Sequence, residues 1–424
     1  MRYPQCHITD RQLQAHAADF LQTELPLKPH KRLCTPSVLW SVLLWAAAWQ
    51  KSLEHACGLL RDAPCSDTLH DALLPQLADH AKLQHQINRL LLRSTRKLVN
   101  AKRRAYPLAI DLNLIPYYGK PGSTEWIYTS KARQGTKRFH ADATAYVICH
   151  GQRYTVALTC VHDRESMATV VKRLLQQVSK TGLRVRYLLL DRGFYAVAVF
   201  RYLQAARVPF LLPACLRGRK PTAERPLAGG TRRFTQCKKS GWYSYQLSDH
   251  KEKQKATVSI AVQCRNHAGR KGKHGRYVWL FAYWGLQPSS HRWLRETYRQ
   301  RFGIESSYRQ MHQGRARTSS RNAELRLLFV GVALVLRNLW VSWHWEVLAQ
   351  RQRGRRRLRP ELLPLLALLE RIAQACTDFF GGIKPLHAPL PLSNYSLFHM
   401  TLHPFIGPVR LVDVVVCRQD EPCT

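Results

Sequence analysis

Residues 184–194 read RVRYLLLDRGF. An apolar run, Tyr187 to Leu190, ends in Asp191, and Arg192-Gly193-Phe194 follow at once. A short apolar run closed by a glycine turn reads as a buried strand. In sheets with parallel strands, reactive groups collect at the strands' carboxyl ends, where loops leave the core. Asp191 is therefore either a cap for the next helix or a ligand in a site. Its setting makes the question sharper, because the chain carries 66 Lys and Arg against 27 Asp and Glu, a formal net charge of +39.

That charge repels itself unless it meets a polyanion, so DNA or RNA is the leading partner class. At 424 residues and 45% hydrophobic content, the chain has room for two or three domains around a real core. The N-terminus MRYPQCHITD lacks the apolar stretch of a signal peptide. The apolar runs Val38 to Trp49 and Leu327 to Leu336 fall short of the roughly 20 residues that cross a bilayer. Both read as buried core helices, and no membrane partner is expected. The 12 cysteines are scattered without a C-x-x-C pair, which fits reduced thiols in a cytoplasmic protein rather than zinc sites.

Outward from Asp191, the strand pattern repeats. LAIDLNLIPYY (108–118), ATAYVICHG, RYTVALTCV and VPFLLP all read as strands, with helices at 166–180 and 195–206 between the later ones. Three hairpin-style strands followed by strand-helix-strand-helix-strand give an α/β fold with a mixed sheet and helices on its faces. Residues 8–105 read as helical throughout: Thr9, Pro36 and Ser52 open helices, and a basic helix is expected over 82–104. The pair around 61–64 has helix-turn-helix proportions, with a plain bundle as the other reading. Residues 217–290 hold short basic strands, and a continuous helix is expected from Ser289 to about Met311.

Three carboxylates stand out. Asp111 lies in LAIDLNL, sharing a strand face with Asn113; Asp191 ends its own strand. Glu305 lies in YRQRFGIESSYRQMH, where a helical period puts Tyr298, Arg301, Glu305 and His312 on one stripe. Each alone has a bland reading: a buried structural Asp, a helix cap, an i,i+4 pair of Arg301 with Glu305. Two strand-borne aspartates and a helix-borne glutamate in a polycation are also the ingredients of a two-metal phosphoryl-transfer site.

LAIDLNLIPYYGK, YLLLDRGFY and Tyr298-x-x-Arg301-x-x-x-Glu305 together resemble the DDE transposases of bacterial and archaeal insertion sequences, most closely the insertion-sequence-four superfamily. The resemblance covers roughly residues 106–340. It implies an RNase H-like core, and Asp111, Asp191 and Glu305 as catalytic ligands of two Mg²⁺ ions, with Mn²⁺ as a substitute. It also implies Tyr298 and Arg301 as contacts to transposon-end phosphates, double-stranded terminal repeats and target DNA as substrates, and a homodimer in the synaptic complex. His312 stands where the family usually has lysine, and a mostly neutral imidazole holds phosphate less firmly; Arg309 or Arg315 is the replacement to consider. Members of this kind often cut through a DNA hairpin with a flipped base stacked on an aromatic. Trp242, Trp279 and Trp284 could each serve, as could Trp293 nearer the glutamate helix, and Trp284 is counted among the DNA contacts. Lys131, Arg133, Lys137 and Arg138 are read as a basic loop that tracks the DNA backbone.

The chain then divides into a helical DNA-binding or dimerisation region (1–105), a first core segment (106–216), a basic β-rich insertion (217–290), a core helix with Glu305 (291–349) and a basic linker with a C-terminal helical region (350–424). The expected activity is metal-dependent excision and strand transfer, in a prokaryotic, nucleoid-associated setting. A nuclease or resolvase without strand transfer, and a domesticated DNA-binding protein without catalysis, are the competing readings.

Overall fold

The computed structural model describes residues 8–96, 105–120, 126–149, 152–249, 252–268, 274–348, 350–352, 355–357 and 360–386. Met1–Ile383 form one compact unit, and Lys384–Thr424 a second, of which only 384–386 are described.

Five helices come first: α1 (Asp10–Gln22), α2 (Pro36–Ala48), α3 (Leu53–Leu59), α4 (Ser66–Leu73) and α5 (His80–Thr95). Their starts were legible because side chains satisfy the orphan amides there. Thr9 and Gln12 form a reciprocal capping box, and Thr35, Ser52 and Asp79 cap α2, α3 and α5. The basic helix expected over 82–104 begins at His80 and runs to Thr95; residues 97–104 lie outside the described chain.

The sheet follows, with β1 (Ala105–Pro116), β2 (Tyr128–Arg133), β3 (Thr136–Cys149), β4 (Gln152–Cys160), α6 (Met167–Lys180), β5 (Arg184–Leu189), α7 (Val197–Ala205) and β6 (Phe210–Pro213). β4, β3 and β1 are antiparallel neighbours, and β5 and β6 continue parallel to β1. That order, three meandering strands then two parallel crossovers, is the arrangement of an RNase H-like mixed sheet. The strands β7 (Gly241–Asp249), β8 (Gln254–Ala268) and β9 (His274–Trp284) carry the same sheet onward, because β9 pairs antiparallel with β6. Helices α8 (His291–Arg299), α9 (Gly303–Gln313), α10 (Ala323–Trp343) and α11 (Leu365–Phe379) complete the unit.

β4 lies at an edge of the sheet, where unpaired backbone groups are a liability. Three side chains cover it. Asn88 of α5 brackets Leu158, accepting from its N–H at 2.7 Å and donating to its carbonyl at 2.9 Å. Asn338 of α10 does the same for Thr155, at 3.1 and 2.8 Å, and Gln84 accepts from Cys160 N–H at 2.8 Å. α10 is long and apolar enough to cross a membrane, yet 94% of its most apolar window is buried here, as a core helix on β4.

Two expectations need correcting. The long helix through Ser289–Met311 is broken: α8 ends at Arg299, a 3₁₀ turn occupies Gln300–Phe302, and α9 restarts at Gly303. The tighter turn changes the helical phase, so Tyr298, Arg301 and Glu305 do not share one straight stripe. The basic loop after β1 is a hairpin. Lys131 and Arg133 lie on β2 and Lys137 and Arg138 on β3, joined by a Gln134-Gly135 turn in which both residues have positive φ.

Candidate active site

Parallel register places the two aspartates. Ala109 of β1 pairs with Leu189 of β5, so Asp111 and Asp191 each stand two residues beyond one cross-strand pair. A side-chain period of two sends both to the same face at the same level, on strands about 4.8 Å apart. Asp111 is buried at 9% exposure, while the Asp191 side chain is 45% exposed at the carboxyl end of β5.

Arg301, at 4% exposure, joins them. Its Nη2 lies 3.3 Å from Asp111 Oδ1 and 3.5 Å from Asp191 Oδ1. The Leu112 N–H donates to Asp111 Oδ1 at 2.9 Å. Burial nevertheless raises the Asp111 carboxyl from 3.8 to about 6; Arg301 and the Leu112 amide pull it down, and the Asp191 charge adds to the rise. The break in the α8–α9 segment is what delivers this guanidinium, since Arg301 sits in the middle of the 3₁₀ turn.

Asp191, Trp279, Arg295, Tyr298, Arg299 and Arg301 line a cavity of about 560 Å³. Tyr298 is 5% exposed, packs on Phe281 with ring centroids 5.4 Å apart, and has its phenol pushed up to about 12 by burial. The Arg295 guanidinium lies 6.0 Å from the Trp279 ring centroid, and Tyr277, two residues earlier on β9, stacks on Trp279. The cavity therefore combines a carboxylate corner, a cationic wall and a half-exposed indole.

Other sequence-selected residues fall as follows. Glu305 lies on α9, one turn before Tyr308, whose hydroxyl donates to the Asp111 carbonyl at 2.9 Å and meets Thr144 Oγ1 at 2.7 Å; the Glu305 side chain is outside the described residues. Arg309 is exposed on α9. His312 closes α9, and burial together with nearby Arg315 lowers it to about 4. It is therefore neutral at physiological pH and supplies no cation. Lys131, Arg133, Lys137 and Arg138 are all exposed on the β2–β3 hairpin. Trp284 is not brought to the aspartates. It pairs in register with Phe210 and stacks on its ring, with centroids 6.4 Å apart, lining a separate groove with Arg201, Gln204 and Lys255. On the same strand Trp279, five residues closer to the carboxyl ends of β5 and β6, lines the cavity that Asp191 lines.

Sequence reading missed Tyr308, Thr144 and Arg295, whose roles depend on contacts between distant elements. It also missed Asp142, which faces Asn113 across the β1–β3 pair and is 6% exposed. Burial raises it to about 6, and the Cys160 thiol donates to it at 3.4 Å. Asp142 lines a different cavity of about 300 Å³, not the one at Asp191.

The donor set suits a hard divalent cation: two carboxylates converge within hydrogen-bond range of one point, and the buried one is poorly solvated. Among the described residues no group of three or more His, Cys, Asp or Glu is placed to hold a metal. Asp111 and Asp191 are two carboxylates on one face of the sheet, and the Glu305 side chain lies outside the described residues.

A search of curated proteins finds no match. Among solved structures, piggyBac transposase in a synaptic complex with hairpin DNA aligns over 87% of this chain and 78% of that one. Identity is 11% and the TM-score 0.48, too low to carry an argument. The decisive comparison is with a family model, described as the transposase DDE domain, which matches residues 103–339 and so takes in both aspartates, Arg301 and Glu305. With more than half its length covered, the chain belongs to the DDE-domain transposase family.

Proposed function

We propose that this DNA transposase excises and transfers its element by in-line phosphoryl transfer at Asp111, Asp191 and Glu305. The observation that carries the reading is the convergence of Asp111 and Asp191, from neighbouring parallel strands, on the Nη2 atom of Arg301. With Glu305 approaching from α9, the carboxylates would hold two Mg²⁺ ions, which supply an activated attacking oxygen and stabilise the leaving one. Arg301 keeps the two aspartates gathered, so that their repulsion does not open the site.

The chemistry balances as two displacements. A water oxygen attacks the phosphorus at the element's end, a new P–O bond forms, and the bond to the 3′-oxygen breaks, leaving a free 3′-hydroxyl. That hydroxyl then attacks the opposite strand or the target, each time exchanging one phosphodiester bond for another. Tyr298, Arg295 and Arg299 face the cavity where a phosphate backbone would lie, and the β2–β3 hairpin offers four more cations. If the ends pass through hairpins, Trp279 rather than Trp284 is the platform for an unstacked base. A dimer on paired terminal repeats, in a prokaryotic nucleoid, completes the proposal.

A nuclease without strand transfer would leave 3′ ends that are never joined. Incubating the protein with Mg²⁺ and a duplex carrying the element's terminal repeat, plus a supercoiled target, separates the two. Joined products that vanish in Asp191→Asn support the transposase; cleavage without joining favours the nuclease; equal activity in Asp191→Asn refutes the site.

A further inference from the structure

Gly303 opens α9 with φ near −69°, a helical value that any residue adopts. Glycine in a helix costs roughly 1 kcal/mol against alanine, so its backbone gives no reason for it here. The reason is space. A Cβ on Gly303 would fall inside the guanidinium of Arg153, a residue of the edge strand β4. The same guanidinium donates from Nη2 to the Gln300 carbonyl at 3.2 Å. Gln300 is the C-cap of α8, one of the carbonyls a helix end leaves unpaired, and the negative end of the helix dipole favours a cation there.

Arg153 is itself held. Arg337 of α10, 3% exposed, donates from Nη1 to the Arg153 carbonyl and from Nε to Gln310 Oε1 on α9, the latter at 3.2 Å. The core helix is thus tied both to the strand that carries Arg153 and to the helix whose start Arg153 covers.

We infer that Arg153 is a positioning residue, which terminates α8 and seats the 3₁₀ turn that delivers Arg301 to Asp111 and Asp191. Gly303 is the complementary half of the device, the only residue type that leaves room for the guanidinium. The inference rests on reading the Arg301 cluster as the active site.

A substitution cycle tests it. In the wild-type background Gly303→Ala swings the guanidinium off the Gln300 carbonyl, lowering the cleavage rate about tenfold, the worth of one charge-assisted hydrogen bond, with little change in DNA affinity, and lowering the melting midpoint. In the Arg153→Ala background the same Gly303→Ala change becomes neutral or stabilising, because the space is free and alanine favours the helix. Arg153→Lys keeps the charge without the planar donor and restores part of the rate that Arg153→Ala loses. Hydrogen exchange of the 298–306 amides should rise in Arg153→Ala while the β1 and β5 amides stay protected. Gly303→Ala without effect, or equally harmful in both backgrounds, overturns the inference. If the wild-type protein cuts no DNA, the catalytic reading fails, while the melting and exchange cycle still decides the positioning role.

Discussion

Arg301→Ala probes the electrostatics of the site most sharply. It removes the guanidinium that faces both aspartates and leaves Asp111 charged in a poorly solvated position. Breaking a buried pair from one side costs about 3–5 kcal/mol. Asp191 is half in solvent and contributes little of that, so the lower end, about 3 kcal/mol, is expected. At about 2.1 cal/mol/K of unfolding entropy per residue over the unit Met1–Ile383, that corresponds to about 4 °C in Tm. The loss should depend on pH. Arg301 lowers the Asp111 carboxyl, so its removal lets Asp111 take up a proton more readily. At pH 5 the proton neutralises the orphaned charge and the penalty shrinks; at pH 8 it is larger. Adding Mg²⁺ should stabilise the variant more than the wild type, because the ion has no guanidinium to displace. Thermal melts of both proteins at pH 5 and 8, with and without Mg²⁺, measure all of this. A variant as stable as wild type at pH 8, or a penalty equal at both pH values, refutes the reasoning.

Two further outcomes follow from the same geometry. Asp111 binds its proton more tightly folded than unfolded, so its contribution to stability is largest below about pH 4 and is lost as pH rises through about 6, by about 3 kcal/mol; Asp111→Asn should flatten the fall of the urea midpoint between pH 4 and 6, leaving the part due to Asp142, and an unchanged slope would contradict the burial argument. Trp279→Ala should slow processing of DNA ends by about 1–3 kcal/mol, roughly ten- to a hundredfold, the worth of one stacked base, whereas Trp284→Ala should not; the reverse pattern in an end-processing time course would return the role to Trp284.

What could be read in advance follows from where the information lies. Asp111 and Asp191 were legible because each sits in a local pattern, an apolar strand interrupted by a charge, and parallel register then sets them side by side. The helix starts were legible because Thr9, Ser52, Ser166 and their like act within three residues. The break at Gln300–Phe302 was not, since RQRFGIES contains no proline and a lone glycine such as Gly303 is tolerated inside a helix. Arg153, some 150 positions away, makes the stop. The choice between Trp279 and Trp284 depended on which end of β9 meets the carboxyl ends of β5 and β6, a matter of pairing register. Asp142 went unseen because its neighbours, Ala141 and Ala143, made it look like part of a small-residue strand rather than a buried charge.

The central claim is that Asp111, Asp191 and Glu305 act as one catalytic set. Its most direct test is single-turnover cleavage of a terminal-repeat duplex with Mg²⁺, comparing wild type with Asp111→Asn, Asp191→Asn and Glu305→Gln under conditions where all four bind the DNA equally. The account predicts a released 3′-hydroxyl with wild type and loss of cleavage in each variant. Cleavage that survives any one of the three substitutions at the wild-type rate would contradict it.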